Sequence, residues 1–283
     1  MGILNLRRRR TALAAGLATV AMAVGLSAVP AQAVDKTKYI ALGDSFAAGQ
    51  GAGPYRDDVC YRSENAYSEL AAGAKAIKLV TNAACSGRTT QDVVNSQLRQ
   101  LNNTTELVTI TAGGNNLGFG DIITNCGAAL RDPVAAGPAC QTASAAAAAK
   151  IASGQLAGEV ASMIQSVQAA APNAKIVVTG YPYLYDPVPL DPTNPMSAFI
   201  YQATDLTNGL NWSIAQAVLA TDTDTTDVQF VDVRAAFAGH GILSTDDPWI
   251  NGATGSPDGF HPNAKGYLAY YTALNAEKVY SAP

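Results

Sequence analysis

Five short apolar runs recur along this chain, and the first four end in turns of glycine or small polar residues. The runs are Tyr39–Leu42, Ile77–Thr81, Leu107–Thr111, Lys175–Thr179 and Val228–Val233. Each is short, rich in β-branched residues and bounded by breakers, so each reads as a strand. Between and after them, Asn65–Ala76, Thr90–Leu101, Thr142–Ala170, Ser197–Ala220 and Pro262–Tyr280 carry apolar residues at helical spacing, and Gly120–Cys126 reads as one more short helix. Asn65 is the expected cap of the first helix and Pro262 belongs in the first turn of the last. Strands that alternate with helices require a parallel sheet covered on both faces. Right-handed crossovers leave few topologies. The expectation is an α/β fold, a flavodoxin-like three-layer α/β/α sandwich with a five-stranded parallel sheet. Its ligands bind at the carboxyl ends of the strands.

The first 33 residues stand outside that pattern. Arg7–Arg10 form a basic start, Thr11–Leu26 is apolar and uncharged, and Ala31-Gln32-Ala33 is a small-x-small cleavage site. That is a secretory signal peptide, short for a membrane span and expected to be cut after Ala33. Residues 34–283 then form one domain of 250 residues, with 14 basic against 22 acidic side chains, a net charge of −8. An acidic exported chain without a basic cluster argues against nucleic acid and against electrostatic binding to anionic membranes. No second apolar run is long enough for an anchor, and a monomer is expected. Four cysteines, Cys60, Cys85, Cys126 and Cys140, imply disulfides in an exported protein. Three pairings are open, and the sequential one closes the shortest loops. Zinc is excluded by the lack of a C-x-x-C and the presence of only two histidines. The acidic stretch 221–227 has no glycine and reads as a solvated turn rather than a calcium loop.

The turns after the first three strands carry the chemistry. Gly43-Asp44-Ser45 places a hydroxyl at a strand end among small neighbours, with Asp44 able to accept backbone N–H bonds. A nucleophilic serine needs a base, and the chain has only His240 and His261. His261 follows Asp258 by three residues, a spacing that lets a carboxylate reach Nδ1 while Nε2 points outward. The developing oxyanion needs donors. Ser45 N–H, the bare Gly87 N–H and the Asn115 side chain are available, all in turns on the same sheet edge.

The ordered set Gly43-Asp44-Ser45, Gly87, Gly113-Gly114-Asn115 and Asp258-x-x-His261 resembles the SGNH (GDSL) hydrolases, whose four blocks contribute Ser, Gly, Asn and His in this order. The likeness spans essentially all of residues 34–283 and is greatest to secreted actinobacterial lipases and esterases. It implies Ser45 as nucleophile, His261 as base, Asp258 as its orienter, and an oxyanion hole of Ser45, Gly87 and Asn115, without cofactor or metal. Some relatives use a backbone carbonyl in place of the aspartate. The family often has Asp where this chain has Asn116, which bears only on local hydrogen bonding. The likeness also implies a disulfide at Cys60 and Cys85, so Cys60–Cys85 and Cys126–Cys140 are the expected pairs. The expected activity is hydrolysis of lipid or other acyl esters, with Phe46, Leu117, Phe119 and the Pro/Tyr-rich loop 181–195 lining an acyl groove. Two rivals remain: a carbohydrate O-deacetylase, marked by activity on acetate but not octanoate esters, and a non-catalytic envelope-binding protein, excluded if a fluorophosphonate labels Ser45.

Overall fold

A computed structural model of the chain describes residues 35–127, 137–252 and 255–281. The signal peptide expected over 1–33, and part of the loop read between Ala128 and Cys140, lie outside them. The strands are β1 (Thr37–Gly43), β2 (Ile77–Asn82), β3 (Leu107–Thr111), β4 (Lys175–Thr179) and β5 (Val228–Val231). They form one sheet in the order β2-β1-β3-β4-β5, every pair parallel. This is the flavodoxin-like order, with its switch point between β1 and β3. β3 is buried at every position, whereas the edge strand β2 alternates and leaves Val80 exposed. A strand covered on both faces is continuously apolar, and one at an edge need not be.

The helices are α1 (Ser45–Ala48), α2 (Tyr67–Ala72), α3 (Thr90–Ser96), α4 (Phe119–Cys126), α5 (Pro138–Ala152), α6 (Gln155–Ala170), α7 (Pro195–Thr221) and α8 (Ala264–Ala276). α2 packs with α8, while α3, α6 and α7 pack in succession. α5 lies against α4, α6 and α7. The core joins Tyr39, Ile40 and Leu42 of β1 and Val108 and Ile110 of β3 to Val160, Met163 and Ile164 of α6.

Three local expectations need correction. The Ala-rich stretch is two helices, broken at Ser153–Gly154, because glycine is the weakest helix former after proline. Asn65 does not cap α2: Ala66 occupies that position without a side-chain bond, and Asn65 Nδ2 donates to the Ala52 carbonyl at 3.0 Å. Pro262 precedes α8 instead of entering it. The cap is Asn263, whose side chain accepts from Lys265 N and Gly266 N at 3.0 and 3.2 Å.

The cysteines pair as expected, Cys60 with Cys85 and Cys126 with Cys140. The first bridge ties the loop after β1 to the turn after β2, and the second ties the end of α4 to the start of α5.

Candidate active site

The carboxyl ends of β1, β2, β3 and β4 converge on Ser45. Gly43 has φ +129°, and a Cβ there would stand 2.1 Å from the Thr111 carbonyl oxygen. Only glycine lets β1 finish so close to β3. Buried Gln97 grips both sides of this residue, accepting from Gly43 N and donating to Gly43 O, each at 2.8 Å. Asp44 caps α1, its carboxylate accepting from Phe46 N at 2.9 Å. The other carboxylate oxygen accepts from Tyr181 O–H at 2.5 Å, and that hydroxyl accepts from Gly114 N at 3.0 Å. One buried phenol thus joins the turns after β1, β3 and β4. Burial pushes the Asp44 carboxyl up to about 7, against the bonds from Tyr181 and Phe46 that hold it down.

His261 meets this turn. Its Nε2 lies 2.8 Å from Ser45 Oγ, and its Nδ1 lies 2.9 Å from the Gly259 carbonyl oxygen. A carbonyl can only accept, so Nδ1 carries the proton and Nε2 is the acceptor facing the serine hydroxyl. The ring packs beside Phe46 at 5.2 Å between centroids. Burial pushes the imidazole down to about 4, opposed by the Gly259 bond and the charge of Asp258. The ring is therefore neutral near pH 7 and free to take a proton.

The expected role of the Asp258 carboxylate is corrected here. Its Oδ1 accepts from Tyr55 O–H, and the carbonyl of Gly259, two residues before the histidine, takes the place foreseen for it at Nδ1. A two-residue turn brings a carbonyl under the ring with no side-chain ordering, and the Tyr55 hydroxyl claims the carboxylate. Asp258 still acts through its main chain, whose oxygen accepts from His261 N at 3.3 Å. His240 is elsewhere, stacked on Trp249 at 3.5 Å with Nδ1 on the Asp247 carbonyl.

The three expected oxyanion donors border one open cleft of about 910 Å³ together with His261. Among the described residues, Ser45 N–H and Gly87 N–H have no acceptor. Gly87 has φ +76° with nothing within 4 Å of a built Cβ, so backbone conformation rather than crowding calls for glycine. Asn115 Nδ2 donates to Arg88 O at 3.0 Å, which uses one of its two hydrogens. Its neighbour Asn116 bonds Thr90 on α3 and Glu159 on α6, at 2.7–3.0 Å. On the other side of Ser45, the apolar residues expected to line a groove, Phe46, Leu117, Phe119, Tyr181 and Pro182, do border a cavity of about 100 Å³. Among the described residues, no group of three or more His, Cys, Asp or Glu is placed to hold a metal ion, and no helix is long and apolar enough to cross a membrane.

Sequence reasoning missed Gly259, Tyr55 and Gln50, and took Tyr181 only for a groove-lining residue, not for the one that bonds Asp44. Gln50 is buried, donates to Pro257 O at 2.5 Å and accepts from Ser86 Oγ at 2.6 Å, so it links the turn after β2 to the histidine loop. The density of tyrosines after β4 was a signal for Tyr181 alone.

The profile of the GDSL-like lipase/acylhydrolase family matches residues 41–269. A lipase of Streptomyces rimosus is 34% identical over 282 residues, 96% of this chain and 99% of that protein. The crystal structure of phospholipase A1 from Streptomyces albidoflavus NA297 superposes with a TM-score of 0.73 at 34% identity, covering 85% of this chain and 99% of that one. The extracellular lipase of Streptomyces rimosus gives the same TM-score and coverage at 32% identity.

Proposed function

The chain belongs to the GDSL-like lipase/acylhydrolase family, and on that premise we propose that this carboxylic ester hydrolase works through an acyl-enzyme on Ser45, with His261 as base and the Gly259 carbonyl as its orienter. The observation that carries the reading is the 2.8 Å hydrogen bond from Ser45 Oγ to a neutral, buried His261. As Ser45 Oγ bonds to the ester carbonyl carbon, its proton passes to His261 Nε2. The carbonyl oxygen becomes an anion and accepts from Ser45 N–H, Gly87 N–H and Asn115 Nδ2–H. Each such donor is worth on the order of 10²–10³ in rate, because its full charge partner exists only in the transition state. Collapse breaks the bond to the alcohol oxygen, which leaves with the proton from Nε2. Water then enters and gives a proton to Nε2 as its oxygen bonds to the acyl carbon; collapse breaks the bond to Ser45 Oγ, which takes the proton back from Nε2, and the carboxylic acid leaves.

The imidazolium formed in each half-reaction is paired through Nδ1–H to Gly259 O, with the Asp258 charge acting from further away. The open cleft on the His261 side suits the alcohol part of the ester, and the apolar cavity on the Phe46 side suits the acyl part. An acetyl-specific deacetylase would leave that cavity unused. Export fits the leader pattern before Val34 and the two disulfides. Incubation with a fluorophosphonate tests the reading. One equivalent should attach to Ser45 as ester hydrolysis disappears, and an unlabelled Ser45 in enzyme that still turns over esters would overturn it.

A further inference from the structure

We infer that the acyl chain threads two apolar chambers in series, and that Ala203 on α7, at their junction, sets how long a chain the enzyme accepts. This rests on the Ser45 acyl-enzyme reading and goes beyond it to the class of substrate. The chamber beside Ser45, of about 100 Å³, is followed by a second of about 50 Å³ between α4 and α7. Five residues border both: Ile122, Ile123, Leu184, Ala203 and Leu206.

Three helices give the same order of stations. Along α4, Phe119 borders the first chamber, Ile122 and Ile123 the junction, and Cys126 the second. Along α7, read backwards, Leu210 borders the first, Leu206 and Ala203 the junction, and Phe199 the second. Those four α7 positions are three or four residues apart and so share one face. On α5, Ala147 borders the first chamber and Ser144, three residues earlier, the second. The far end is bounded by the edge-on rings of Tyr185 and Phe199, 5.8 Å apart, and by Cys126 of the α4–α5 disulfide.

Size decides what the order means. An apolar cavity of about 150 Å³ takes one benzene, a six-carbon ring. The first chamber is smaller than that, so an acyl chain beyond about six carbons must pass the junction. Of the five side chains there, four are branched aliphatics and one is a single methyl group. Ala203 is therefore the place where the passage is open because the side chain is small, and where a larger one would close it.

The experiment is a panel of p-nitrophenyl esters from butyrate through octanoate and dodecanoate to hexadecanoate, run on the natural chain, Ala203→Trp and Phe199→Ala. The natural chain should hydrolyse dodecanoate readily. In Ala203→Trp the dodecanoate-to-butyrate ratio of kcat/KM should fall at least tenfold, and in Phe199→Ala the profile should move toward hexadecanoate. If Ala203→Trp does not fold, Ala203→Leu gives the graded version and Phe199→Ala the independent one. An unchanged ratio in a folded alanine-site variant that still hydrolyses butyrate and takes the fluorophosphonate on Ser45 would sink the two-chamber channel while leaving the acyl-enzyme standing. Loss of Ser45 labelling as the source of activity in the natural chain would sink both.

Discussion

Ser45 and His261 face each other across one hydrogen bond, but the chain behind each is held differently. The Ser45 turn is fastened by buried side chains from distant parts of the fold. Gln97 grips Gly43, Tyr181 bonds Asp44, and Tyr267 donates to the Gln50 carbonyl at 2.9 Å. The His261 loop is fastened mainly through its own backbone. Asn251 N donates to His261 O, Phe260 N donates to Asn251 O, both at 2.9 Å, and Gly259 O holds the ring. Buried side-chain networks are strong but fail badly when one member is lost, since the partner is left unsatisfied. Backbone bonds survive most substitutions of the side chains that hang from them. The nucleophile should therefore be sensitive to its surroundings, and the base sensitive mainly to itself.

The contrast predicts that His261→Ala has the largest effect on rate and a small one on stability. Loss of kcat by at least about 10⁴ is expected, the scale seen when a nucleophile–base unit is broken. The thermal midpoint should hold, because the loop keeps its main-chain bonds. If calorimetry finds that the midpoint collapses with the activity, the ring is part of what holds the loop and the contrast is wrong. Asn115→Ala comes next, with kcat lower by about 10²–10³ and KM little changed. A variant with raised KM and unaltered kcat would make Asn115 a substrate-binding group instead.

Tyr181→Phe tests the other side of the comparison. It removes the phenol that joins Asp44 to Gly114, and should cost about 1.5–3 kcal/mol where the carboxylate is charged. The pH dependence has a definite sign. Folded Asp44 keeps its proton up to about 7, against an ordinary 3.8, so the native state binds the extra proton and stability falls as pH rises through that window. The Tyr181 bond holds the carboxyl down, so its loss pushes Asp44 still higher. Denaturant melts should then show a larger deficit at pH 8 than at pH 5, and equal deficits would mean Asp44 is not the partner that matters.

The same contrast explains what was legible in the sequence. All five strands were readable because each is a short apolar run between breakers, and the parallel order followed from the helices between them. Ser45, Gly87 and Asn115 were readable because each stands in a turn after a strand with a distinctive side chain or none, and His261 because only two histidines are available as a base. Tyr181 acts on Asp44 from 137 residues away, and no local pattern marks such a bond. Gly259 was out of reach for a different reason: every residue has a carbonyl, so its role is written only in the turn. The break at Ser153–Gly154 was hidden by the alanines on both sides, which favour helix strongly enough to mask one glycine.

Asp258→Asn should have the smallest effect, and it separates two ways of orienting a histidine. Spacing alone favours the carboxylate. The structure gives that carboxylate to Tyr55 and gives the ring to Gly259 O. Asparagine keeps an oxygen for Tyr55 and keeps the main-chain oxygen that accepts from His261 N, so the loop should stay in place and the thermal midpoint should scarcely move. What is lost is the charge. The acid limb of kcat/KM reports the free imidazole and is expected at about 4 rather than the ordinary 6.5, since burial lowers it. The negative charge of Asp258 raises that value, so the limb should move lower in the variant. The imidazolium of the transition state loses the same distant support, and a rate loss within about threefold at pH 7, some 0.6 kcal/mol of barrier, is the expected size. A loss of 10⁴, the scale seen when a triad aspartate becomes asparagine, would mean that the carboxylate leaves Tyr55 and takes Nδ1 during turnover. In that case Tyr55→Phe, which frees the carboxylate, should raise kcat, whereas with Gly259 as the orienter it should leave kcat nearly unchanged.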